Sequence, residues 1–129
     1  EGWATYVEYF GEEMGLYHDD WAWLGKWEWD LVRSVRIVIS VGIHDRGWSK
    51  AEALAFWKAN IPNQDEIAER EVTRCTNWPA QVLTYKIGAK KIFELREAAE
   101  KREGARFDIR KFHTRFMAAG YVPLEVMGD

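Results

Sequence analysis

RIVISVGIH, residues 36–44, is the one run in this 129-residue chain that reads as either strand or helix. Ile37, Val38, Ile39, Val41 and Ile43 are β-branched and suit a pleated surface. A strand needs a partner to pair with, and no second run of this kind occurs. The stretch is therefore predicted to close a long helix that begins near Trp21, and the fold class is all-α. At 1.5 Å per residue, a helix over 21–43 is about 35 Å long. Leu24, Trp27, Leu31, Val35 and Val38 form its predicted apolar stripe. Gly42 near its end weakens it. Four of the eight tryptophans, Trp21, Trp23, Trp27 and Trp29, fall on several faces of this helix. That pattern predicts core and inter-helix packing around a central element.

Before it stands EGWATYVEYFGEEMGLY, residues 1–17, read as helix from the first letter. Trp3, Tyr6, Val7, Phe10 and Met14 recur at spacings of three and four and share a face. No capping residue precedes Glu1, and a natural chain begins with Met. The expectation is a helix cut in mid-turn, hence a piece of a longer polypeptide. His18-Asp19-Asp20 is a polar break in which either aspartate can cap the long helix.

Beyond it, Asp45-Arg46-Gly47 is a turn and Ser49-Lys-Ala-Glu52 matches a capping box. A helix to about Asn60 follows, with Leu54 and Trp57 inward. Ile61-Pro62 stops it. Asn63-Gln-Asp-Glu66 is a second box-like start, for a helix to about Thr76. Asn77-Trp78-Pro79 opens a helix from about Ala80 to Arg102, with Pro79 in its first turn. Val82, Tyr85, Ala89, Ile92 and Phe93 mark its buried side, and Gly104 stops it. Asp108 caps a last helix to about Ala119. Gly120-Tyr-Val-Pro123 breaks that, before a short closing turn. The expected architecture is about six helices in one domain.

Composition narrows the function. Eighteen basic residues against 21 acidic ones give a net charge of −3, without the basic stripe of a nucleic-acid binder. No apolar run approaches the roughly 18 residues of a membrane span. A single cysteine, Cys75, excludes an internal disulfide and a cysteine-based zinc site. The three histidines, His18, His44 and His113, never stand three or four apart, so no zinc-protease helix is present. There is no phosphate loop, dinucleotide fingerprint or nucleophile elbow. These residues alone make no complete active site.

Partial sites remain. Glu1 can offer a carboxylate to a metal held by other helices. His44 ends the long helix, where a cation suits the negative dipole end. Tyr85 lies on an apolar face with a hydroxyl that needs a partner. Arg33 and Arg36 sit in a largely apolar helix and want carboxylates, with Glu8, Glu12 and Glu28 as candidates.

Glu1-Gly-Trp-Ala-Thr-Tyr-Val-Glu8 and Glu13-Met-Gly-Leu-Tyr17 are followed by further blocks in order. These are Arg36-Ile-Val, Gly42-Ile-His44, Gly47-Trp-Ser49, Trp78-Pro-Ala-Gln81, Tyr85-Lys-Ile-Gly88, Glu94-Leu-Arg96, Phe107-Asp-Ile-Arg110-Lys-Phe-His113 and Pro123-Leu-Glu-Val126. Together they resemble, end to end, the C-terminal part of the bacterial family called domain of unknown function 885. That family looks like zincin-type metallopeptidases, with an H-E-x-x-P-G-H-H block upstream of the place where this chain begins. The resemblance implies the C-terminal helical part of a zincin-like domain. Glu1 would be the third zinc ligand, and Tyr85 and His44 would donate to the oxyanion. It implies zinc and a peptide substrate in the complete protein, and an inert fragment without the missing N-terminal part of its own domain. It also implies the bacterial envelope as location. A face exposed by that cut predicts self-association. The competing reading is a non-enzymatic helical module that binds ligands through a tryptophan-rich surface.

Overall fold

A computed structural model describes residues 1–120 and 122–128. They form six α-helices: α1 Gly2–Glu13, α2 Asp20–His44, α3 Lys50–Asn60, α4 Asp65–Asn77, α5 Thr84–Glu103 and α6 Ile109–Ala118. Short 3-10 turns precede and follow α5, and another closes the chain at Leu124–Gly128. No strand occurs among the described residues, so residues 36–44 are helical. Tyr121 of the predicted break lies outside the described residues.

Local chemistry sets most of the ends. Asp19 accepts from the Ala22 N–H at the start of α2. Ser49 and Glu52 form the full capping box on α3. Asp108 accepts from the N–H groups of Arg110 and Lys111 on α6. Three predictions need correction. The first helix does not reach Tyr17. Gly15, at φ +67°, stops it by sending its N–H to Glu12 and letting Leu16 reach the Gly11 carbonyl. The second box does not form, because Asn63 takes a left-handed turn at φ 62° and Gln64 begins α4 without a side-chain bond. Pro79 does not open α5, since Ala80 turns left-handed at φ 64° and the α-helix begins at Thr84.

Two apolar cores result. Val32, Val35 and Ile39 of α2 pack with Ala53 and Trp57 of α3, Val72 and Cys75 of α4, and Val82. Tyr6 of α1 packs with Ala89, Ile92 and Ala99 of α5 and Phe112 of α6. Between the cores runs a polar seam. Lys26, Asp30 and Arg33 recur at four and three residues on one side of α2. Lys26 pairs with Glu12 at 2.6 Å, and Arg33 grips Glu8 through two bonds of 2.6 and 2.7 Å. Asp30 accepts from Tyr9 and, at 2.7 Å, from Lys86. Burial pushes the Tyr9 hydroxyl far above its ordinary range, and the Asp30 carboxylate adds to this. Burial also opposes the charge on Asp30, but its Lys86 and Tyr9 donors hold it ionised below the usual range.

The predicted stripe on α2 is rotated from the real one. Leu24, Leu31 and Val38 are exposed, and only Val35 of that set is buried. Partner geometry decides this: α3 and α4 meet the Val32–Val35–Ile39 row, while α1 and α5 meet the Lys26–Asp30–Arg33 row. The tryptophans are likewise less buried than predicted. Trp57 alone is fully enclosed, whereas Trp21 is 81% exposed. Trp27 is half-exposed and holds the Lys26 ammonium 3.6 Å above its ring, a cation–π contact. Gly42 is not simply a weak point, because a Cβ there would meet the Trp48 ring at 2.3 Å.

Candidate functional site

α1 and α5 cross where Gly2 faces Gly88. A Cβ on Gly2 would lie 2.5 Å from the Gly88 Cα, so two glycines are needed for this approach. The contact sets Glu1, one residue outside α1, against the beginning of α5. There the Tyr85 hydroxyl donates to Glu1 Oε1 at 2.9 Å. The Gln81 amide donates to the same oxygen at 3.0 Å. The left-handed turn at Ala80 places Gln81 on the 3-10 turn and Tyr85 one turn further on, both toward Glu1. Arg74 of α4 stands behind them. Its Nη2 donates to the Gln81 side-chain oxygen at 3.1 Å and to the Tyr85 hydroxyl at 3.2 Å. The bond to Tyr85 pushes the Arg74 guanidinium above its ordinary range, so it stays charged.

Glu1 and Tyr85 are thus brought together, and His44 is not part of their network. His44 ends α2, where its Nε2 lies 2.8 Å from the Cys75 carbonyl. A carbonyl only accepts, so Nε2 carries a proton and donates to it. Cys75 is buried beneath it, and burial pushes its thiol up to about 11. Gln81 stands in the Trp78-Pro-Ala-Gln81 block and Arg74 in none, and the sequence predicts no role for either. Their roles depend on a turn at a non-glycine residue and on helix packing, and neither leaves a signature in spacing.

An open cleft of about 440 Å³ adjoins this network, lined by Trp29, Arg33, Arg36, Arg70, Glu71, Arg74 and Tyr85. Arg36 does not meet an acid of α1 or α2. It forms a buried pair with Glu71 of α4, with Nε at 2.7 Å and Nη2 at 2.6 Å from one carboxylate oxygen. His113 sits among Trp3, Tyr6, Phe10 and Phe112 and shares a 2.7 Å hydrogen bond with the Tyr6 hydroxyl.

Protein zinc sites draw three or four ligands from the chain. Among the described residues, no group of three His, Cys, Asp or Glu side chains is placed to hold one ion. The donor set fits a metal in one respect only. Glu1 is an exposed carboxylate with one oxygen fixed by two neutral donors, as ligating carboxylates are held.

These features define an all-α helical unit with a buttressed carboxylate at one end and an arginine-rich cleft beside it. The chain belongs to the family described as bacterial proteins of unknown function, DUF885, which matches residues 1–129. It is similar to a crystal structure described as "the putative lipoprotein from Colwellia psychrerythraea", at 36% identity and a TM-score of 0.93. That match covers 99% of this chain and 22% of the other, so the chain spans about a fifth of that relative. No curated protein matches it. No helix among the described residues is long and apolar enough to cross a membrane.

Proposed function

We propose that this chain is the C-terminal helical part of a zinc-dependent hydrolase of peptide bonds, with Glu1 as one metal ligand. The observation that carries the reading is the double anchoring of Glu1 Oε1 by Tyr85 and Gln81, with Arg74 bonded to both. A solvated surface glutamate needs no such support, whereas a ligating carboxylate gains orientation from it. When bound, zinc supplies an activated water and polarises the carbonyl under attack. Tyr85 holds a proton on its hydroxyl beside Glu1, where it can turn to a developing oxyanion. His44 serves the same end only if its bond to Cys75 is released.

The imidazole ligands belong to the rest of the polypeptide, and the chain is inert alone. The envelope is the proposed compartment. The partner is the remainder of its own domain, and the exposed α2 row of Trp21, Leu24, Leu31 and Val38 is the surface offered to it.

The test uses the longer polypeptide. Glu1→Ala lowers zinc content and peptide hydrolysis by roughly tens-fold while helicity is kept. Undiminished zinc and activity end the reading. A second reading, a binding module with a tryptophan-rich surface, draws support from the exposure of Trp21, Trp27 and Trp29. It predicts a tryptophan fluorescence shift with peptide or sugar and no response to zinc.

A further inference from the structure

The cleft beside Glu1 carries more positive charge than its walls neutralise. Arg33 is matched by Glu8 behind it, and Arg36 by Glu71. Arg70 comes no nearer than 3.8 Å to Glu71, whose charge is already held by Arg36. Arg74 bonds to the neutral oxygens of Gln81 and Tyr85, and among the described residues no carboxylate is in ion-pair range of it. Even with Glu1 counted, reached from Arg74 only through Tyr85 and Gln81, four guanidinium groups face three carboxylates around an open cleft of about 440 Å³, and neither Arg70 nor Arg74 has a carboxylate of its own. A guanidinium matches a carboxylate in charge, and with both Nη2 hydrogens engaged by Gln81 and Tyr85, Arg74 keeps its Nη1 and Nε hydrogens for one.

We propose that Arg70 and Arg74 receive a carboxylate of the substrate, so that the substrate class is peptides bearing a carboxylate close to the reacting bond. This names the substrate of the proposed hydrolase and rests on that reading, although the binding itself does not. Arg74 Nη2 reaches Glu1 Oε1 through the Tyr85 hydroxyl in two hydrogen bonds, of 3.2 and 2.9 Å. An extended residue spans about 3.5 Å. A carboxylate seated on Arg74 thus brings a peptide bond one or two residues away to Glu1. The terminal carboxylate of a peptide and an acidic side chain share this chemistry. Trp29, half-exposed on the cleft wall, reports on its filling.

The test is NMR of the 129-residue chain without metal, following the arginine Nε–H signals and the Trp29 indole. The probes are N-acetyl-glycyl-glycine, its C-terminal amide, and N-acetyl-aspartyl-glycinamide. The free acid shifts the Arg70, Arg74 and Trp29 signals, and the glycyl amide leaves them in place. Binding by the aspartyl amide as well assigns the site to acidic side chains, and its failure assigns it to the peptide terminus. Arg74→Gln and Arg70→Gln each weaken binding of the free acid tenfold or more, while Arg102→Gln does not. Arg70 is 71% exposed, so its variant keeps the test alive should Arg74→Gln misfold. The proposal is overturned if the glycyl amide shifts the same signals equally, or if both variants bind as the parent does. No zinc is present, so a failed hydrolase reading leaves this result standing.

Discussion

The Tyr85 hydroxyl donates to Glu1 Oε1 across 2.9 Å, joining residues 84 positions apart. The contact exists because α1 and α5 approach through Gly2 and Gly88. A methyl group on Gly88 would meet the Gly2 Cα at 2.7 Å, inside van der Waals contact. Gly88→Ala must push backbone from backbone, and its cost is about 1–3 kcal/mol. Urea unfolding measures this, and an unchanged midpoint would show that the helices slide without penalty.

Tyr85→Phe keeps the ring and deletes the donor. In the longer polypeptide it lowers metal affinity or turnover about 10–100-fold, as loss of a supporting hydrogen bond does. The thermal midpoint of the 129-residue chain moves little, because the ring is only half-buried. Full metal affinity and full turnover in the variant would remove Tyr85 from the site.

Arg36 and Glu71 leave only 5% and 6% of their side chains exposed. Removing one partner strands a buried charge. Glu71→Ala is therefore expected to cost about 3–5 kcal/mol, whereas the double replacement Arg36→Met with Glu71→Leu costs much less. Denaturant titration of the two variants side by side decides it, and equal losses would deny the pairing.

His113 gives the α1–α5–α6 core a pH dependence. Burial among aromatic rings, with Arg96 nearby, holds its imidazole below the ordinary value of 6.5. The unfolded chain then binds a proton that the folded chain resists, so stability rises with pH in this window. The contribution is complete above about 6.5 and is lost as pH falls through the lower folded value. Glu13, held low mainly by its bond to Arg96, adds a second loss below the usual carboxylate range of about 4.5. Denaturation midpoints at pH 7.5 and 5.5 differ in the parent, and His113→Gln flattens that difference. An equal slope in the variant would assign the effect elsewhere.

The exposed α2 row predicts self-association of the isolated 129 residues. Trp21, Leu24, Leu31 and Val38 form an apolar strip along one helix. Sedimentation is expected to show dimers or larger species, and Leu24→Glu with Leu31→Glu shifts them toward monomer. A parent chain that sediments as a monomer and binds no hydrophobic dye would contradict this.

Much of the helical plan was legible because its causes are local. Asp19, the Ser49–Glu52 pair and Asp108 act within three residues of themselves, and each caps the helix it was expected to cap. The errors also have local names. Gly15 ended α1 early, and Ala80 adopted a left-handed turn that alanine rarely takes, which delayed α5. The partner of Arg36, expected on α1 or α2, lies on α4, 35 residues away.

Alone, the sequence determined that the chain is all-α, where most helices begin and end, and that Glu1 and Tyr85 carry groups worth watching. Backbone hydrogen bonds and caps close over three or four residues, so periodicity reveals them. Tertiary structure decided which row of α2 is buried, which acid neutralises each arginine, and that Tyr85 and Gln81 hold one oxygen of Glu1. Those choices follow from the angle and distance at which helices meet, set here by Gly2 against Gly88, and no short stretch of residues contains that geometry.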